Sequence, residues 1–204
     1  MQPFDSLPSP VQKVLLQLEE KDRKEREVGL DRLQRLRQIP RETGEFLFQF
    51  LLTFSSQFPD FVGLEIGTSG GYSTIWQGMA LVKNDHGRLI SLDHDPKKFQ
   101  FASKNITSIE VSQFIELIHG DAKDYLKKSQ EKFNYVFLDC EKEDYLYFFN
   151  LLVNRLSRGT VLIADNVISH ADDMQEFIIQ IKGDSKVSSV ILPVGRGLAF
   201  VRWI

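Results

Sequence analysis

Two carboxylates, an amide and an amine stand at or just beyond the ends of apolar runs in this sequence. Asp139 and Lys142 follow residues 133–138, and Asp165 and Asn166 follow residues 160–164. Asp139, Asp165 and Asn166 offer the hard oxygen ligands that Mg²⁺ takes, with positions left over for water and substrate oxygens. Such a site suits an alcohol or phenol, because a cation on a hydroxyl oxygen lowers its pKa and holds it for in-line transfer. Lys142 is then placed to take the proton, provided burial or nearby cations make it give up its own. Taken alone, Lys142 reads as a surface salt bridge with Glu141 and Glu143. The neighbouring ligands reverse that reading.

A second constellation lies upstream in Phe61-Val62-Gly63-Leu64-Glu65-Ile66-Gly67-Thr68-Ser69-Gly70-Gly71-Tyr72-Ser73, which reads as strand, glycine turn and helix start. Gly67, Gly70 and Gly71 permit a backbone path and a close ligand approach that side chains would block. Glu65 stands where the dinucleotide fingerprint has its first glycine. A carboxylate there repels a pyrophosphate and welcomes an ammonium group, which points to S-adenosylmethionine rather than NAD. Asp93, at the end of strand 87–93, is placed to accept both ribose hydroxyls; the competing reading is a helix cap. Asp95-Pro96 is itself a good helix start, which leaves Asp93 free. The turn Gly120-Asp121-Ala122 is expected beside adenine, with Asp121 also able to cap the helix carrying Tyr125 and Leu126.

The elements that must position these residues alternate. Strands are expected at 61–66, 87–93, 114–119, 133–139 and 160–164, with helices at 73–82, 97–106, 145–156 and about 174–181 between or after them. Residues 187–194 and 198–203 read as a hairpin around Gly195-Arg196-Gly197. In a doubly wound sheet, ligands bind beyond the carboxyl ends of the strands, so Glu65, Asp93, Asp139 and Asp165 line one mouth.

The N-terminal part is helical. Val14, Leu15 and Leu18 form an apolar face from Val11 onward, and the charged run 19–27 reads as a solvated helix end. Residues 30–39 carry Arg32, Arg35 and Arg37, followed by Arg41, either an RNA-facing stripe or the wet side of a helix. Thr43-Gly44-Glu45 reads as the cap of an apolar helix over 46–52, which brings Thr43 and Gly44 near the cofactor.

With 204 residues, 42% hydrophobic and 26% charged, the chain is expected to form a single domain, 1–204, with a helical lid at 1–58 and a cofactor-binding and catalytic core at 59–204. A net charge of -3 provides no global field for nucleic acid. One cysteine, Cys140, excludes an internal disulfide, no basic segment leads into a long apolar run, and no stretch approaches the roughly 18 apolar residues of a membrane span. These features are those of a soluble cytoplasmic protein.

The motifs together resemble the class I S-adenosylmethionine-dependent methyltransferases, specifically the divalent-metal-dependent O-methyltransferases that include catechol and caffeoyl-CoA enzymes. The resemblance runs from about Leu30 to the C-terminus through Leu64 to Ser73, Gly120-Asp121-Ala122, Phe137-Leu138-Asp139-Cys140-Glu141-Lys142 and Ala164-Asp165-Asn166-Val167. It implies a Rossmann-like α/β fold, with a mostly parallel seven-stranded sheet, a C-terminal antiparallel hairpin and N-terminal helices. It also implies Mg²⁺ or another divalent cation on Asp139, Asp165 and Asn166, and catalytic roles for Lys142 and Asp139. Cofactor contacts are implied for Glu65, Gly67, Thr68, Ser73, Asp93, Asp139 and the turn Gly120, Asp121, Ala122, with Thr43 nearby. The family's habit, with the apolar 46–52 helix, Trp203 and Ile204, suggests a homodimer; Trp76 and Trp203 read as core or dimer contacts.

Two features depart from plant-type members. Cys140-Glu141 replaces their Ala-Asp, and the loop after Asn166 runs almost at once through Ser169-His170 into a helix, so the usual substrate-covering insertion is short. His170, Asp172 and Asp173 are candidates to line the opening instead, with an exposed-loop role equally open for His170. The expected activity is methyl transfer to a hydroxyl of a small, aromatic substrate. The alternatives are methylation of a hydroxylated tRNA base, resting on the arginine cluster, and cofactor binding without catalysis.

Overall fold

The computed structural model describes residues 2–204. Helix α1 (Ser9–Glu27) is followed by an irregular segment, then α2 (Arg41–Phe54). Strand β1 (Val62–Ile66) opens the alternation, followed by α3 (Tyr72–Asn84), β2 (Arg88–Asp93), α4 (Pro96–Thr107), β3 (Ile115–His119), α5 (Ala122–Lys128) and β4 (Tyr135–Leu138). Helix α6 (Tyr145–Leu152), β5 (Val161–Ala164), α7 (Gln175–Gly183), β6 (Val187–Leu192) and β7 (Leu198–Trp203) complete it. No helix of the described residues is long and apolar enough to cross a membrane.

The strands form one seven-stranded sheet in the order β3-β2-β1-β4-β5-β7-β6. β1 through β5 pair in parallel, whereas β7 runs antiparallel to both β5 and β6. The Rossmann-like α/β class and the antiparallel C-terminal hairpin are therefore as expected. The chain leaves β1 toward β2 on one side and reaches β4 on the other, so strand order reverses at β1/β4, where such sheets open a ligand crevice.

The central strands β4 and β5 are apolar and buried along their whole length because both of their faces are covered, whereas the edge strand β3 carries exposed Glu116 and His119. Along β4, Tyr135 and Phe137 pack with Leu15, Leu47 and Trp76 on one face, and Val136 and Leu138 with Tyr145, Phe149 and Phe177 on the other. Trp76 and Trp203 are both buried core residues, the Trp203 indole donating to the Val153 carbonyl at 3.1 Å. Leu47, Phe48 and Leu51 of α2 are buried too. Of the apolar residues that suggested a second copy, most are spent on this chain's own interior, and Ile204 is exposed.

The N-terminal readings need three corrections. The charged run is not merely a solvated end: Asp22 and Glu25 are buried, and Glu25 accepts the Leu36 amide at 2.7 Å. Residues 30–40 form no helix; Gly29 and Arg37 have positive φ (74° and 52°), and the segment folds back over the sheet's carboxyl edge. Thr43 and Gly44 lie inside the first turn of α2 rather than capping it, because Pro40 occupies the cap position without a side-chain hydrogen bond.

Candidate active site

Register sets the site. Ile66 pairs with both Leu92 and Leu138, and Leu138 with Ala164. The next residues in each strand, Gly67, Asp93, Asp139 and Asp165, therefore form one row across four neighbouring strands. Backbone bonds extend one step into that row: Gly67 N to Leu92 O, Asp139 N to Ile66 O and Asp165 N to Leu138 O, each 3.0 Å.

Above the row lies a cavity of about 830 Å³ lined by Gly67, Asp93, Gly120, Asp121, Ala122, Asp139, Lys142 and Asn166 among others. Gly67 has φ 108°, and a Cβ there would sit 2.2 Å from the Asp139 carbonyl oxygen, so only glycine fits. Asp93 accepts the Ser69 amide at 2.6 Å on one oxygen and the Asp95 amide at 2.8 Å on the other, and still faces the cavity. Asp95 caps α4 as expected, through Lys97 N and Lys98 N, and Asp121 caps α5 through Lys123 N at 2.6 Å.

Four expected cofactor residues are not brought to the cavity wall. Glu65 is fully buried, and its carboxylate is enclosed by donors from Ser73, Thr74, Gln77 and Ser91. Burial raises its pKa, and those hydrogen bonds oppose the rise. Ser73 is spent on Glu65, and Thr68 pairs with Ser91 at 2.6 Å. Thr43 is buried beneath the β6–β7 turn, where a Cβ on Gly195 would meet its hydroxyl. Glu65 thus pins the glycine turn and the start of α3 from below instead of presenting a carboxylate to a ligand. Gln77, one helical turn beyond Ser73, was the sequence signal for this network.

The constellation of Asp139, Lys142, Asp165 and Asn166 does converge. Lys142 is buried, with Nζ 3.0 Å from the Tyr145 hydroxyl, 3.2 Å from the Cys140 carbonyl and 3.4 Å from Asp139 Oδ1. Asp165 is fully buried; one oxygen accepts from the Asn166 amide, and Oδ1 has no partner. Burial, reinforced by the charge of Asp139, pushes its carboxyl up to about 7. Asn166 has φ 69°, a left-handed conformation that asparagine tolerates better than most residues and that a functional site retains. Among the described residues no group of three or more His, Cys, Asp or Glu is arranged to hold a metal. Here two carboxylates stand with an amide, and an orphaned, buried carboxylate oxygen suits a hard cation.

The mouth is crossed by a strap that sequence reasoning missed. Arg32 and Arg37 both bind Glu141, and the Ser69 hydroxyl donates to the Leu36 carbonyl. Arg41 instead pairs with Glu19, which also accepts from the Tyr72 hydroxyl. His170 lines the cavity with Nδ1 2.9 Å from the Ser169 hydroxyl, and burial and Lys142 lower its pKa. Asp172 and Asp173, also expected at the opening, are exposed and do not line it.

A doubly wound sheet with a glycine turn at its switch point and an acid-tipped row beside it defines a Rossmann-like fold of the class I methyltransferase type. The family model for O-methyltransferases matches residues 17–204, and the chain belongs to that family. It is 42% identical over 118 residues to a catechol O-methyltransferase of Niastella koreensis, a match spanning 55% of this chain and 52% of that protein. With a catechol O-methyltransferase of Mycobacterium tuberculosis it is 36% identical over 106 residues, 52% of this chain and 47% of the other. The chain thus spans about half the length of the curated relatives it matches. Its fold is that of a Bacillus cereus O-methyltransferase solved with SAH, with a TM-score of 0.78, 23% identity, and 98% and 93% of the two chains covered.

Proposed function

We propose that the protein transfers the methyl group of S-adenosylmethionine to a hydroxyl of a small, aromatic acceptor, with a divalent cation at Asp139, Asp165 and Asn166. One observation carries the reading: the row of Gly67, Asp93, Asp139 and Asp165 puts a ligand crevice and a buried carboxylate–lysine cluster edge to edge. Each Asp93 oxygen accepts a single backbone amide and keeps a lone pair for a ribose hydroxyl. The turn from Gly120 to Ala122 flanks the adenine, and Gly67 lets the methionine end approach the backbone. Glu65 acts indirectly, by holding Ser73 and the start of α3.

When bound, a divalent cation supplies Lewis acidity toward the acceptor oxygen. Lys142 receives the acceptor's proton at Nζ. Its hydrogen bonds to Tyr145 and Cys140 fix the amine, and the longest of the three, to Asp139, is the one released when Nζ turns to the acceptor. The strap of Arg32, Arg37 and Glu141 narrows the mouth and limits water.

Transfer of a labelled methyl group from S-adenosylmethionine to a dihydroxyphenyl acceptor, with and without EDTA, tests this reading. Transfer that is lost in EDTA and restored by Mg²⁺ supports it, and full activity in metal-free protein rejects the cation. The tRNA alternative draws no support from the arginines: Arg32, Arg37 and Arg41 are engaged in ion pairs, and Arg35 donates to the Leu30 carbonyl.

A further inference from the structure

The acceptor end of the cavity carries a cation that the proposed reaction does not use. Arg196 sits at the tip of the β6–β7 turn, lines the cavity with Asn166 and His170, and is half-buried. Among the described residues its side chain has no ion pair and no hydrogen bond, whereas Arg32 and Arg37 in the same wall are held by Glu141.

The turn is built to hold it there. The Arg196 carbonyl accepts the Ile168 and Ser169 amides at 3.2 and 3.0 Å, and the Gly197 carbonyl accepts the Val167 amide at 3.1 Å. The tip is thereby tied to the loop that leaves Asn166. Both flanking glycines have positive φ, 55° and 93°. A Cβ on Gly195 would lie 2.2 Å from the Thr43 hydroxyl, and one on Gly197 2.3 Å from the Ile168 side chain. The backbone on either side of Arg196 is therefore wedged between α2 and the Asn166 loop. Thr43, remote from the cavity wall, forms one side of that wedge. Burial first, then the charges of Lys142, Arg32 and Arg196, lower the pKa of His170 against the opposing charge of Asp173, so the guanidinium lies close enough for His170 to feel it.

A guanidinium with no ion pair of its own, on a backbone held beside the acceptor position and with Asp165 as a nearby carboxylate, recognises a planar anion through paired N–H donors. We propose that Arg196 is the anion-binding element of the acceptor pocket and that the acceptor is a hydroxylated aromatic compound carrying a carboxylate. This rests on the methyltransferase reading above and adds to it the substrate's charge. A site built around such a donor discriminates against an uncharged analogue, because the analogue leaves the guanidinium unpaired.

The test uses the full chain with SAH and Mg²⁺ and compares, by calorimetry, dihydroxybenzoate, dihydroxyphenylacetate and dihydroxyphenylpropionate with their amides. At least one acid should bind about ten- to hundredfold more tightly than its amide, as a charge-assisted pair allows, and added salt should shrink the gap. Arg196→Gln should bring that acid and amide to similar affinity, and Arg196→Lys should restore part of the preference. SAH binding by each variant reports that it is folded. Equal affinity of every acid and amide, no binding of any, or a preference that survives Arg196→Gln would overturn the proposal. Failure of the parent protein to bind SAH would instead sink the cofactor reading, so the two failures are told apart.

Discussion

Lys142 and Tyr145 hold each other in place: Nζ lies 3.0 Å from the phenol oxygen, and that hydroxyl donates in turn to the Leu138 carbonyl at 3.1 Å. The phenol is fully buried, its pKa raised by burial and then by the charge of Asp139, so it stays a neutral hydroxyl that offers Lys142 a lone pair. Tyr145→Phe should leave SAH affinity unchanged and lower kcat, by about tenfold for the loss of one orienting hydrogen bond. Lys142→Ala should cost roughly 10²- to 10⁴-fold, the usual worth of a general base, and recover partly at high pH, where the acceptor ionises unaided. A Tyr145→Phe enzyme whose KM rises while kcat holds would show that the tyrosine serves acceptor binding instead.

Asp93 is expected to carry much of the cofactor's affinity through its ribose contacts. Asp93→Ala should weaken SAH binding by about 1.5–3 kcal/mol, the worth of hydrogen bonds to a charged group. Calorimetry with SAH measures it. Affinity equal to that of the parent would reject the ribose assignment.

How much of this was readable in the sequence follows from how local each signal is. The strand ends were legible because buried parallel strands are short apolar runs that stop at a polar residue, and Asp93, Asp139 and Asp165 are such stops. Asp95 was legible as a cap because its partners, the amides of Lys97 and Lys98, are two and three residues away. Glu65 misled because its type suggests a ligand contact, whereas its partners come from α3 and from Ser91 on the neighbouring strand. The charged run in α1 misled for the same reason. Glu25 looks solvated by pattern, yet it receives the Leu36 amide from a segment that no periodicity predicts. Arg32 and Arg37 meet Glu141 more than a hundred residues away, beyond the reach of any local rule.

The strap gives a prediction about motion. Glu141 is held below the usual carboxylate range, first by its hydrogen bond with Arg37. Glu141→Gln should speed amide hydrogen exchange in residues 30–40 and raise the cofactor's off-rate. Global stability should change little, because partly exposed ion pairs contribute about 0–1 kcal/mol. Unchanged exchange in that segment would show that the Ser69–Leu36 bond and the packing of Leu36 suffice to hold it.

The proposed cation site makes a pH prediction through Asp165. Its carboxyl is pushed up to about 7, by burial first and then by Asp139. A carboxyl raised above its unfolded value of roughly 4 stabilises the metal-free fold in full below that value, and this contribution is lost as pH climbs through about 7. Metal-free protein should therefore melt at a lower temperature at pH 8 than at pH 6. A cation competes with the proton for the same oxygens, so the rise in Tm on adding Mg²⁺ should be large at pH 8 and small at pH 6. Asp165→Asn, neutral at both values, should flatten the metal-free difference and abolish the Mg²⁺ effect along with turnover. A Tm rise of equal size at both pH values, or one retained in Asp165→Asn, would remove Asp165 from the cation's ligands even if the enzyme still required Mg²⁺.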